Sequence, residues 1–519
     1  MRFEPREAYN LRMRKYLLLI VWCAPLGAQP VFTNIFPPDE FAARRARVLE
    51  KIGDGVAIVL GTTEPPGEMP LRQNNQFHYL CGVVEPRAVL AIDGKTKKTT
   101  LFLNPRNQAS ENSAFGPGLY PGEEAAKATG IDIVLARVPS MGGRGGGRGG
   151  RGNAGADTAG PPPRSEFQAM LEELAAEGRT FYTPFRAEVL GSISSGGPDG
   201  LWRANKNDPL DGRVSREEAF RTHLKEMAAK SEIKDLDPIL DGLRGIKSAR
   251  EIEVIREATR IAGLGIMEAM RDSKPGMYEY ELQADSEFVF KKYGAFGASY
   301  FALIGTGKNT YYTHYHRNTT KLEDGDLIQF DYAPDYKNYQ SDVTRVWPAN
   351  GKFTAWQKEY YNIYLKLFQS VIASIKPHVA QVEVIKNAVT KMDAIMASYK
   401  FTDDKIKEAA TKFVENYRRQ ATGGRGSLGH TVGMEVHDVR FPTPTLEPGE
   451  IFTIEPEMRI EELHLGMRLE DMLLIKETGC DDMSGFVPIE AADIEKLMAD
   501  HKHGLSEAHS TLPTPVIRK

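Results

Sequence analysis

The chain has 519 residues, 41% hydrophobic and 26% charged, so it can fill more than one core without staples. A formal net charge of -4 argues against nucleic acid or an anionic membrane surface as a general partner. Its three cysteines, Cys23, Cys81 and Cys480, are too few and too scattered for a disulfide framework or a thiolate zinc site. Any metal must be held by His, Asp and Glu.

At the N-terminus Arg12, Arg14 and Lys15 precede the apolar run Tyr16 to Ala24, then PLGAQP with small residues near Ala28. This order reads as a secretory signal over residues 1–28. The run falls short of the roughly 20 apolar residues that span a bilayer, so export without a lasting membrane span is expected. Cys81 and Cys480 are expected as unpaired thiols. PDEFAARRARVLEKIG then shows helical spacing and a Gly stop, and GVAIVLG, RAVLAIDG and TTLFLN read as buried strands. Residues 37–242 are therefore expected to form an α/β N-terminal domain. Within it, residues 142–163, GGRGGGRGGRGNAGADTAGPPP, are too rich in Gly to pack and predict a disordered surface insertion. Its three arginines are thin support for an RNA tail. Past Gly242, Ser248 and Glu251 have capping-box spacing, and Ile252, Ile255, Ala262 and Ile266 form one apolar helical stripe. A second helix is expected at TAWQKEYYNIYLKLFQSVIASI. Helices mixed with strand pairs predict an α+β domain over 243–500, followed by a tail, 501–519.

The strand DLIQFDYAP meets YQSDVTRVW through DYKN. If Asp335 and Asn338 flank the turn, Asp331 stands directly opposite Asp342, with Cβ atoms about 5 Å apart. Two such carboxylates need a shared proton or a cation between them. EIFTIEPEMR and LGMRLEDMLLI suggest a second strand pair, with Glu455 on one strand and Arg468 and Glu470 sharing a face of the other. Between the pairs lies GHTVGMEVHDV, with His430 and His437 beside glycines that permit close backbone approach. Four carboxylates with one or two imidazoles suit two divalent ions about 3.5–4 Å apart, which acidify a water between them and polarise a carbonyl. An oxygen-rich set favours Mn2+, Fe2+ or Co2+ over structural zinc.

These residues resemble the pita-bread metallopeptidases, and within them the aminopeptidase P and prolidase group. The group's paired aspartates match Asp331 and Asp342, the second in a D.TR motif (SDVTR). Its GH..G motif matches Gly429 to Gly433 with His430, its EP motif Glu455-Pro456, and its R.ED motif Arg468, Glu470 and Asp471. LRQNNQFHYLCGV is similar to the signature of the aminopeptidase P N-terminal domain. The resemblance implies a pita-bread catalytic domain with two divalent ions per chain. Mn2+ is the expected ion, with Co2+, Fe2+ or Zn2+ as alternatives. It implies Asp331, Asp342, His430, Glu455 and Glu470 as metal ligands and Glu455 as general acid/base. His437 would stabilise the oxyanion, and His314 and Arg468 would orient the substrate. The activity implied is that of an Xaa-Pro aminopeptidase acting on peptides, in a homo-oligomer. An Xaa-Pro dipeptidase has the same ligands, and a non-catalytic binding protein would be expected to have lost some. Two positions depart from the group: Gly426 replaces a histidine that helps line the site around proline, and Glu457 replaces a glycine. The first predicts a looser hold on proline.

Overall fold

A computed structural model describes residues 35–64, 69–106, 118–138, 165–189, 197–424 and 426–500. The signal pattern, the Gly/Arg-rich insertion and the C-terminal tail lie outside them. The helix Pro38–Ile52 opens with Pro38, Asp39 and Glu40 in its first turn and stops at Gly53, whose φ of 57° suits glycine. Six strands follow: β1 (Val56–Leu60), β2 (Val89–Asp93), β3 (Lys98–Leu103), β4 (Ile133–Ala136), β5 (Phe181–Thr183) and β6 (Ile233–Asp235). They form one sheet in the order β4-β3-β2-β1-β5-β6. The three strands expected from sequence are β1, β2 and β3. Both faces of β1 are buried: Ala57 and Val59 join the main core, while Val56 and Ile58 pack with Phe102, Leu171 and Leu224 in a smaller one. That explains why these strands read as unbroken apolar runs rather than alternating ones.

Gly242 lies inside a helix, Asp237–Gly245. The next, Ala249–Asp272, begins with the Ser248–Glu251 capping box and buries Val254, Ile255, Ala258, Ala262 and Ile266. The remaining strands lie against this helix and against Glu279–Lys292, Ala355–Ile372, Gln381–Ser398 and Asp404–Gly423. Among the described residues no helix is long and apolar enough to cross a membrane. Among the described residues Cys81, buried, and Cys480, half-buried, are free thiols.

The first carboxylate hairpin differs from the sequence expectation. After β7 (Gly297–Ala298) and β8 (Leu303–Thr306), it consists of β9 (Leu327–Asp331), β10 (Pro334–Tyr336), β11 (Tyr339–Gln340) and β12 (Thr344–Pro348). Tyr336 pairs with Tyr339, so the turn residues are Lys337 and Asn338, with φ of 56° and 65°. A two-residue turn with both φ positive matches strand twist, and asparagine tolerates that conformation. The turn sits one residue later than expected, which places Asp331 opposite Thr344 rather than Asp342. Asp342 lies in the break between β11 and β12, on the diagonal from Asp331.

The second hairpin comprises β13 (Ile451–Ile454), β14 (Glu457–Ile460), β15 (Leu465–Arg468) and β16 (Asp471–Ile475), and β17 (Cys480–Asp482) adds to β16. Ile454 pairs with Asp471 and Glu457 with Arg468, which leaves Glu455 across from Glu470 where the ladder is interrupted. Pro456, with no N–H to give, sits in that gap. The hairpins touch through a bridge between Thr344 and Glu470, and a second bridge, Thr431 to Phe452, docks the His430 segment on β13.

Candidate metal centre

These contacts gather side chains from three stretches far apart in sequence. Among the described residues, Asp342, His430 and Glu470 have ligand atoms that all lie within 4.8 Å of one another. His430 Nε2 is 3.5 Å from Asp342 Oδ2 and 3.1 Å from Glu455 Oε1. Asp331 joins through Tyr300, whose hydroxyl lies 2.5 Å from Asp331 Oδ1 and 2.5 Å from Asp342 Oδ1. One hydroxyl proton cannot satisfy both carboxylates. Thr344 Oγ1 donates to Glu470 Oε2 at 2.8 Å, whereas Glu470 Oε1 is buried and has no hydrogen-bond partner among the described residues.

The electrostatics follow from gathering four acids in one place, three of them buried and Glu455 half-buried. Burial first, then the neighbouring carboxylates, pushes Glu470 well above the usual range. Burial also raises Asp331 to about 8 despite the opposing charge of Arg468. Burial would raise Asp342 and Glu455 too, but hydrogen bonds and charge from His430 hold both low. His430 itself would fall on burial, yet its bonds to Asp342 and Glu455 lift it to about 10. Without a cation, the cluster thus tends to hold protons on His430, Asp331 and Glu470. An orphaned carboxylate oxygen, two acids sharing one hydroxyl and an imidazole forced to carry charge fit an oxygen-rich site for divalent ions.

Both glycines of the GH..G motif are explained by close approach. A Cβ on Gly429 would lie 1.9 Å from Thr453 O, blocking the Thr453 N–H bond to His430 O at 2.9 Å. A Cβ on Gly433 would lie 2.1 Å from Asp438 Oδ2. His437 is exposed, with its ring centroid 4.0 Å from that of His430, and burial of its inner edge, then the His430 charge, takes it down to about 4. His314 stands exposed in the segment after β8, and burial and the Arg468 charge lower it. Arg468, expected beside the substrate, is only 2% exposed, pairs with Asp331, and lies 3.6 Å from Glu455 Oε2. Its guanidinium braces the carboxylates of Asp331 and Glu455.

Three further residues support the centre, Tyr300, Thr344 and Arg345. Tyr300 gives no sequence signal. Thr344 and Arg345 are the last letters of SDVTR, so the motif marks them although it does not give their partners. Gly426 is closed off: a Cβ there would lie 2.2 Å from Ile385 Cδ1. Beside it a cavity of about 160 Å³ runs to Glu455, walled by Phe413, Tyr417, Gln420, Ser427 and Glu457. Glu457 is held by Arg459 at 2.6 Å and by the Thr313 hydroxyl at 3.0 Å.

Comparison with known proteins agrees with this arrangement. The profile of metallopeptidase family M24 matches residues 253–477, and that of the aminopeptidase P N-terminal domain matches residues 41–136. The chain is 28% identical over 488 residues to an Xaa-Pro aminopeptidase of Escherichia coli K12, covering 88% of this chain and 97% of that protein. It is 30% identical over 264 residues to an Xaa-Pro dipeptidase of Pyrococcus horikoshii, covering 50% of this chain and 68% of that protein. Its fold superposes on proline aminopeptidase P II of Yersinia pestis with a TM-score of 0.64 at 26% identity, over 89% of this chain and 99% of the other.

Proposed function

The chain belongs to metallopeptidase family M24, with a pita-bread catalytic domain behind an aminopeptidase P N-terminal domain, and on that premise we propose that it is an Xaa-Pro aminopeptidase. It would remove the N-terminal residue from peptides with proline in second position. The observation that carries the reading is the cluster of three buried carboxylates, Asp331, Asp342 and Glu470, with half-buried Glu455 and His430, in which a Glu470 oxygen has no donor among the described residues.

In this proposal Asp331, Asp342, His430, Glu455 and Glu470 hold two divalent ions, with Mn2+ the first choice for so oxygen-rich a set. When bound, such ions supply an acidified water at neutral pH and polarise the scissile carbonyl. Glu455, which lines the 160 Å³ cavity, would receive the water's proton and pass it to the leaving proline nitrogen. His437, neutral near pH 7, offers an N–H to the carbonyl oxygen as charge gathers there. His314, exposed and close enough for the Arg468 charge to act on it, would orient the peptide. Arg468 fixes the orientation of Asp331 and Glu455. We further propose export through the N-terminal signal pattern and assembly as a homo-oligomer.

Likeness to the Pyrococcus dipeptidase supports a second reading, an Xaa-Pro dipeptidase. Mn2+-loaded protein offered Xaa-Pro and Xaa-Pro-Yaa-Yaa separates the two. Cleavage of the longer peptide is expected, cleavage of the dipeptide alone indicates the dipeptidase, and cleavage of neither defeats both.

A further inference from the structure

We propose that Arg72, from the N-terminal domain, is a positioning residue that sets the place of His437; the inference rests on the role assigned to His437 above. The Arg72 side chain is 7% exposed and reaches across to the catalytic half. Its Nε donates to Asp335 Oδ2 at 2.5 Å, its Nη2 to Met434 O at 3.1 Å, and its Nη1 to Asn75 Oδ1 at 2.8 Å. Asn75 in turn donates to Glu435 Oε1 at 3.1 Å. Met434 and Glu435 belong to the turn Gly433–Asp438 that carries His437.

The same turn is tied to the first hairpin, because Gln340 N–H, on the strand opposite Asp335, donates to Gly433 O at 2.7 Å. From the far side Arg244 pairs with Glu435 at 3.1 Å, and Lys247 with Asp438 at 3.2 Å. Among the described residues none hydrogen-bonds the His437 ring. Its location therefore depends on the backbone of this turn and on contact with the His430 ring at 4.0 Å. Arg72 is suited to hold that backbone, since its planar fork fixes a carbonyl and a carboxylate at once. An oxyanion donor must be placed to a fraction of an ångström, and loosening its support costs rate even where folding survives.

A double-mutant cycle on Arg72→Met and His437→Ala tests this, with metal content and melting temperature measured beside kcat and KM. Arg72→Met is expected to lower kcat about tenfold with little change in KM or bound metal. In the His437→Ala background it should cost less than about twofold, because the residue it positions is gone. Asn75→Leu, which removes the acceptor of Arg72 Nη1 and the link to Glu435 but leaves the Arg72 bonds to Asp335 and Met434, should show the same non-additivity with a smaller loss. Equal losses in both backgrounds, or a lowered melting temperature with kcat intact, overturn the inference. If His437→Ala alone leaves kcat unchanged, the role of His437 falls first and the inference with it. If it lowers kcat and the cycle is additive, the reading of His437 survives and the inference alone fails.

Discussion

Arg345 offers the sharpest test of how the two hairpins are held together. It is fully buried and donates to Thr344 O at 3.0 Å, Glu470 O at 2.8 Å, Ser484 O at 3.2 Å and Asp471 Oδ1 at 2.6 Å. The arginine of SDVTR thus pairs with the aspartate of RLED, and the pair grips the backbone of Glu470. In Arg345→Met the methionine fills much of the space but leaves Asp471, 2% exposed, with only Ser484 Oγ as a donor from the former network, at 2.8 Å. Removing one partner of a buried ion pair costs about 3–5 kcal/mol. At about 2–4 °C per kcal/mol for a unit of this size, melting of the catalytic half should fall by roughly 6 to 20 °C. Calorimetry reads this directly. The double variant Arg345→Met/Asp471→Leu should regain more than half of the loss, since two apolar groups of matched size replace a buried pair at little cost. A melting temperature within about 2 °C of the parent, or a double variant less stable than the single one, refutes the reasoning.

Gly426→Ala should lose about 1–3 kcal/mol on urea unfolding as Ile385 is forced aside, and the loss should vanish in an Ile385→Ala background; persistence there would place the clash elsewhere. His78 is buried and held down to about 3. The unfolded chain therefore binds the extra proton between about pH 6.5 and 3, and stability falls as pH drops through that window. From pH 7 to pH 5 this amounts to about 2 kcal/mol, and His78→Phe should flatten the urea-midpoint profile by that much. Glu455→Gln should fold yet lose at least about a hundredfold in kcat; retention of more than about a tenth of the activity would contradict its role as proton carrier.

The helix Ala249–Asp272 was readable because its capping box and apolar stripe are local, and β1 to β3 because unbroken apolar runs between turns leave few alternatives. The five residues expected as ligands could be named from motif order, but the geometry that brings them together could not be read. The turn at Lys337-Asn338 depends on two positive φ values that the sequence hints at only through Asn338, and moving the turn by one residue exchanged Asp342 for Thr344 opposite Asp331. The Glu455–Glu470 juxtaposition needed the register of β13 to β16. The pairing of Arg345 with Asp471 spans 126 residues, and that of Arg72 with Asp335 spans 263, distances over which no local pattern carries information.

The central claim, a metal-dependent aminopeptidase that acts on peptides with proline in second position, is tested most directly by one digest. Purified chain loaded with Mn2+ is given a peptide library randomised at the first three positions, and the released residues are identified by mass spectrometry. The account predicts release of single N-terminal residues from peptides with proline second, abolished by chelation and restored by Mn2+. Release regardless of the second residue, or turnover that survives complete chelation, would contradict it.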